Sequence, residues 1–87
     1  MATIKNFEDL DSWKKARELA GLIYELTGKE KFSKDFGLRD QVQRAAGSIM
    51  HNIVEGFESG YTAEFIRFLK MARRSAGEVQ SQLYLAL

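Results

Sequence analysis

The sequence has no cysteine, no proline and a single histidine among its 87 residues. Without cysteine the chain cannot form disulfides or thiolate metal sites, and one histidine cannot build a histidine metal cage by itself. We therefore expect no metal and no cofactor. Because proteins without cysteine are typical of a reducing compartment, the sequence also predicts a cytoplasmic location.

Long apolar runs and a strong charge imbalance are missing as well. No apolar run approaches the roughly 18 residues that cross a bilayer, and the first ten residues, MATIKNFEDL, lack the apolar region of a secretory signal. Thirteen Lys and Arg stand against twelve Asp and Glu. This net charge of +1 gives no reason to expect nucleic-acid binding by the chain as a whole, so local charge clusters must decide that question. We expect a soluble protein with no membrane partner.

The length of 87 residues suits one domain, residues 1–87. A chain this short buries only roughly 60% of the surface that its unfolded form exposes, so its core is thin. Small folds without disulfides or metals commonly gain stability from oligomerisation. We therefore expect a homo-oligomer.

Many Ala, Leu, Glu, Lys and Arg residues, together with the absence of proline, favour helix throughout. Apolar residues recur at helical spacing at about 7–27, 38–57 and 62–87. We predict an all-α fold, an antiparallel up-down bundle with three long helices. The third of these helices ends on the apolar segment LYLAL without a cap, so we expect either a missing further helix or a second subunit to cover it.

Polar residues and glycine mark the predicted ends of these helices. Asn6, with Asp9 three residues later, fits a capped start of the first helix, and Thr62 fits the start of the third. Gly28 fits the C-terminal cap of the first helix. The segment KFSKDFGL between the first two helices is expected to be a loop or one short turn that Ser33 could cap.

Residues 45–56, AAGSIMHNIVEG, place a serine, a histidine, an asparagine and a glutamate close together, which suggests catalysis. On a helical wheel of about 100° per residue, we predict that His51 faces solvent and points away from Ser48, Asn52 and Glu55. A nucleophilic serine needs a base within hydrogen-bond reach, and the G-x-S-x-G elbow is absent. We therefore expect that the protein is not an enzyme.

Polar residues beside the core of the second helix form one stripe, which faces a similar edge of the third helix. The stripe and the edge together are Gln41, Arg44, Ser48, Asn52, Glu55, Ser75, Glu78 and Gln82. In a hairpin that closes near Gly60, Ser48 would lie near Ser75, Arg44 beside Glu78, and Glu55 beside Arg67. We predict that this set is a structural polar seam with an Arg44–Glu78 ion pair; a ligand pocket and a catalytic site are the alternatives.

Three segments resemble a known family: FEDLDSWKKARELAGLIYELT, FGLRDQVQRAAGSIMHNIVEG and EFIRFLKMARRSAGEVQSQL. They resemble the small bacterial four-helix-bundle proteins encoded by intervening sequences of 23S rRNA genes, relatives of the accessory variability protein of diversity-generating retroelements. The most specific match is Ser-Ile-x-x-Asn-Ile-x-Glu-Gly at 48–56. A second is Ser-x-x-Glu followed by Gln-Leu, at 75–83.

The sequence departs from the family's pattern at three places. Met50 stands where a proline usually follows Ser-Ile, and Arg74 replaces the glycine that usually precedes the second serine. The chain stops at Leu87, whereas the family continues into a fourth helix, so that helix is expected to be missing or truncated. The resemblance implies a barrel-like homopentamer with no known enzymatic activity and no cofactor.

The segment RFLKMARR places four cations on the side of the third helix opposite its core stripe: Arg67, Lys70, Arg73 and Arg74. A ring of protomers would multiply this patch, and phosphate binding strengthens with the number of such contacts. The alternative is a solvated face whose long side chains cover apolar neighbours. The retroelement relative is a basic ring proposed to engage nucleic acid and a reverse transcriptase, so the resemblance implies both as partners.

Two functions follow from these observations. The first is a non-catalytic oligomeric helical-bundle protein that binds structured RNA or DNA through the basic face of the third helix. The second is an oligomeric scaffold or adaptor that binds a protein partner only, without nucleic acid.

Overall fold

A computed structural model describes residues 4–86, and this part of the chain is helical without any strand. The elements are a 3-10 turn at Phe7–Asp9, α1 at Asp11–Thr27, the short α2 at Glu30–Ser33, α3 at Phe36–Glu58 and α4 at Thr62–Ala86. The prediction of an all-α fold with three long helices is confirmed. Leu87, which the sequence assigned to the third long helix, lies outside the described residues.

The start of α1 differs from the prediction. Asn6 precedes the 3-10 turn and its side chain makes no capping hydrogen bond, and Leu10 occupies the position before α1. The predicted Asn6 cap is therefore wrong. Leu10 is buried, and the ring of Phe7 meets that of Trp13 edge-on with centroids 5.2 Å apart, so apolar packing fixes this end of the helix. At the other end Gly28 is the C-cap residue, as predicted.

The other helix starts also correct the sequence prediction. Asp35 caps α3 because its Oδ1 accepts a hydrogen bond from the backbone N–H of Leu38 at 3.2 Å. The short turn expected before the second long helix is present as α2, and Ser33 ends it, with its hydroxyl donating to the Glu30 carbonyl at 3.1 Å. Thr62 is the first residue of α4 rather than its cap, since the carbonyl of Tyr61 accepts the N–H of Phe65.

α3 is the central helix, and both α1 and α4 pack against it. The buried apolar core draws on all three long helices and on the residue before α1: Leu10, Ala16, Ala20, Ile23, Val42, Ala45, Ala46, Ile49, Ile53, Ala72 and Val79. Five of these eleven are alanines, which let the helix backbones approach closely and keep the apolar volume of the core small. Within residues 4–86 no helix is apolar over the length that a membrane crossing needs.

The α3–α4 hairpin closes at Gly60, as the sequence predicted. Gly60 has φ of +76°, a left-handed conformation that glycine adopts without a side-chain clash. One turn earlier, Gly56 is buried against α4, where an added Cβ would lie 2.8 Å from the Cβ of Phe68 and 3.1 Å from the Cα of Phe65. Only glycine allows the two helices to come this close.

Candidate functional site

A hydrogen-bond network joins α3 to α4 near the middle of the hairpin. The hydroxyl of Ser75 donates to the Oγ of Ser48 at 2.9 Å. The side-chain amide of Asn52 donates to the same oxygen at 3.0 Å and to the Ser48 carbonyl at 2.8 Å. Ser75 is buried and the other two are half-buried, so these bonds satisfy polar groups that would otherwise be costly to bury. The structure thus brings Ser48 and Ser75 together as the hairpin register predicted.

The charged residues of the predicted seam do not pair across the two helices. Arg44 and Glu78 line one groove beside Gln41, Ser48, Ser75 and Gln82. Within the described chain, however, the ion pairs are Lys34–Glu30, Arg39–Asp40 and Arg67–Glu64. The predicted Arg44–Glu78 pair is therefore wrong, because two exposed charged side chains gain little from pairing when water solvates both.

Gln82 and Glu55 complete the seam residues and have different surroundings. The side-chain carbonyl oxygen of Gln82 is buried and accepts no hydrogen bond from the residues that the structure describes. Glu55 is exposed and lines another groove, on the outer side of α3. It is not paired with Arg67, whose guanidinium bonds Glu64 on its own helix.

The outer groove of α3 also contains His51, and this position differs from the prediction. His51 is exposed, as expected, but it lines the same shallow surface as Ser48, Asn52 and Glu55, with Tyr24 at its edge. Residues three or four apart share a helix face, and His51 lies three residues after Ser48 and four before Glu55, so the predicted separation from these two residues is wrong.

The groove nevertheless has no arrangement for nucleophilic catalysis among residues 4–86. The Oγ of Ser48 is held by Asn52 and Ser75, and no hydrogen bond of the described chain joins it to His51. The same residues contain no group of three or more His, Asp or Glu side chains that could hold a metal ion. What the arrangement can do is fix the register of α3 on α4.

All four predicted basic residues lie exposed on α4, but they fall into two classes. Arg67 is bound within its own helix: its Nε and Nη2 donate to the two carboxylate oxygens of Glu64, both at 3.0 Å. Its guanidinium also lies over the ring of Phe68, 4.4 Å from the centroid. The hydrogen bonds between the two side chains lower the pKa of Glu64 and raise the pKa of Arg67. Each group therefore stays charged and neutralises the other.

Lys70, Arg73 and Arg74 have no ion pair with any residue that the structure describes. We call these three residues the basic face. Between residues 65 and 86 the only carboxylate is Glu78, which lines the groove beside Ser75 and Gln82. The basic face is therefore a local concentration of positive charge on a chain of almost balanced charge.

Sequence reasoning missed one polar link between α1 and α3. The side-chain amide of Gln43 donates to the Oγ1 of Thr27 at 2.9 Å, and that hydroxyl donates to the Tyr24 carbonyl at 3.2 Å. Thr27 is fully buried. Its spacing of four from Ile23, on the apolar face of α1, is the signal that could have placed it inside the bundle.

A comparison with known proteins identifies the family of the chain. The family model described as 23S rRNA-intervening sequence protein matches residues 8–87. Searches of curated proteins and of solved structures found no match. The matched range contains all four helices, the Ser48–Asn52–Ser75 network and the basic face, and it confirms the family that the sequence motifs indicated. The chain belongs to the family of 23S rRNA-intervening sequence proteins.

Proposed function

We propose that this protein is a non-catalytic, oligomeric helical-bundle module that binds structured RNA or DNA through the basic face of α4. The observation that carries the proposal is that Lys70, Arg73 and Arg74 have no ion pair among residues 4–86 and are all exposed on one side of a single helix. Like charges three and four residues apart on a helix repel one another. A phosphate backbone would relieve this repulsion and release its own counterions on binding.

Oligomerisation is the second part of the proposal. The core is rich in alanine, and several large apolar side chains stay exposed on the single chain: Leu22, Tyr24, Phe36, Tyr61, Ile66, Tyr84 and Leu85. Contacts between subunits would bury part of this surface and add to a thin core. An assembly would also present several basic faces to one nucleic acid. The family resemblance supports a homopentamer, and the retroelement relative of that family supports a reverse transcriptase as a protein partner.

A cytoplasmic location is the compartment that we propose for this activity. It rests on the absence of cysteine, which excludes the disulfides that commonly stabilise small proteins of oxidising compartments.

Charge reversal of the basic face tests the nucleic-acid part. Fluorescence anisotropy would measure the binding of a labelled RNA hairpin, and of the DNA hairpin of the same sequence, to the parent and to the triple variant K70E/R73E/R74E. We expect the variant to weaken binding by at least tenfold, since three phosphate contacts become repulsive.

The matched control is K5E/K14E/K15E, which changes the net charge by the same amount. These three lysines are exposed, Lys5 before α1 and the other two in its first turns, and they have no ion pair in the described chain. We expect at most a threefold effect from the control. Equal weakening by both variants would show that only the net charge of the protein matters and would overturn the role of the basic face.

A scaffold that binds a protein partner without nucleic acid is the second candidate function. The exposed apolar side chains of the single chain favour it, because such surface commonly serves contact between proteins. Absence of measurable RNA and DNA binding to the parent at low salt would support this candidate over the first.

A further inference from the structure

Tyr84 lies on the same side of α4 as the basic face. It follows Lys70 by fourteen residues, which is about four helical turns and returns to the same side. Its side chain is 75% exposed. The carboxylate of Glu78 lines the seam groove, so the surface from Lys70 to Tyr84 presents cations, then small and polar residues, and then an exposed aromatic ring.

Gly77 lies between the cations and Tyr84, and because it has no side chain, the helix backbone is accessible there. An added Cβ at Gly77 would meet nothing within 4 Å, so this part of the surface is open. At 1.5 Å per residue, Arg74 and Tyr84 are about 15 Å apart along the helix axis. A stacked strand that rises about 3.4 Å per nucleotide covers this distance with four to five nucleotides.

We propose that this surface binds a single-stranded segment of RNA or DNA, with Lys70, Arg73 and Arg74 on its phosphates and the ring of Tyr84 stacked on a base. The inference rests on the proposed function and names its substrate class. In a duplex the base faces are covered by neighbouring bases, so a ring on a convex helix surface reaches a base face only in a loop, bulge or end. Aromatic stacking beside a basic surface is the general mode by which proteins hold single strands.

Removal of the Tyr84 ring tests the inference. The probes are a labelled single-stranded RNA of roughly 12 nucleotides, within the range of known single-strand site sizes, and a blunt duplex of roughly 40 base pairs, whose two ends are a small part of its binding surface. We expect Y84A to weaken single-strand binding by about fivefold to a hundredfold, the usual loss when one stacking residue is removed. Duplex binding is expected to change by less than about twofold, and Y84F to bind like the parent because the hydroxyl is not needed for stacking.

Y61A is the matched control. Tyr61 is 73% exposed and lies immediately before the first residue of α4, outside the surface from Lys70 to Tyr84. We expect no effect of Y61A on either probe. Circular dichroism and native mass spectrometry of each variant would verify the fold and the assembly.

The outcomes separate this inference from the proposed function. Three results would overturn the inference: Y84A weakens single-strand and duplex binding equally, Y84A leaves single-strand binding unchanged, or Y84A changes the mass of the assembly. None of them would exclude phosphate binding by the basic face. If the parent binds neither probe, the proposed function fails and the inference fails with it.

Discussion

A single ion pair divides the four cations of α4 into one that is paired and three that have no ion pair in the described chain. Arg67 has the same exposed position as its neighbours in sequence, yet two hydrogen bonds to Glu64 fix its guanidinium. Because its charge is already neutralised by Glu64, Arg67 attracts a phosphate more weakly than Lys70, Arg73 and Arg74 do. The local carboxylate therefore determines which residues form the basic face.

Replacement of Glu64 should enlarge the basic face. E64Q removes the carboxylate that holds Arg67, so we expect RNA-hairpin affinity to rise by about threefold to tenfold as one further phosphate contact becomes available. Anisotropy titration measures the change. E78Q removes the same charge from the same helix without releasing an arginine, and an equal rise with E78Q would contradict the explanation.

The Glu64–Arg67 pair also predicts a pH dependence of stability. Because the pKa of Glu64 is lower in the folded chain, the pair stabilises the fold above the pKa of the unfolded state and loses this contribution as the pH falls through the folded value. We expect the parent to have a slightly higher Tm than E64Q near neutral pH, since exposed pairs contribute little. This difference should decline as the pH falls below the unfolded-state pKa of about 4.3 and vanish below the lower pKa of the folded chain. Thermal unfolding at a series of pH values would measure it, and a constant difference would contradict the expectation.

The hydroxyl of Ser48 connects α3 to α4 through its hydrogen bond with Ser75. S48A would leave the Ser75 hydroxyl and the Asn52 amide without their shared acceptor, so we expect a loss of about 1–3 kcal/mol in the free energy of unfolding. Urea denaturation measures this loss, and S81A, at an exposed serine of α4, is the control. A double-mutant cycle of S48A with S75A should show coupling, whereas additive effects would mean that the two hydroxyls act independently.

At the scale of the elements, the α3–α4 hairpin depends on close approach at Gly56. The two phenylalanines of α4 that face this glycine lie where a Cβ would be, so even a methyl group must push the helices apart. This steric requirement explains why glycine stands at position 56.

A methyl group at Gly56 should therefore destabilise the fold. We expect G56A to lower the free energy of unfolding by about 1–3 kcal/mol through overpacking. The control is G21A on α1, where an added Cβ meets nothing within 4 Å; we expect it to stabilise the fold by up to about 1 kcal/mol through helix propensity. Urea denaturation compares the two, and a stable G56A variant would contradict the packing described for the hairpin.

At the scale of the whole molecule, the three long helices, the hairpin and the family could be predicted from sequence because each depends on local periodicity or motif. The contact of Ser48 with Ser75 also followed, since a tight turn at Gly60 fixes the register of two antiparallel helices. The Arg44–Glu78 pair did not form although both residues line one groove, because long exposed side chains choose among many rotamers that register does not determine. The hydrogen bond from Gln43 to Thr27 depended on how α1 sits on α3, which no local pattern specifies.

The central claim is that the basic face binds phosphates, and the salt dependence of RNA binding tests it most directly. Affinity of the parent for the RNA hairpin, measured by anisotropy between about 50 and 200 mM salt, gives the slope of log K against log salt. Three phosphate contacts for each bound protomer predict a slope of about −2 to −3 per protomer, and the slope should approach zero in K70E/R73E/R74E. A parent whose affinity does not change with salt would contradict the claim.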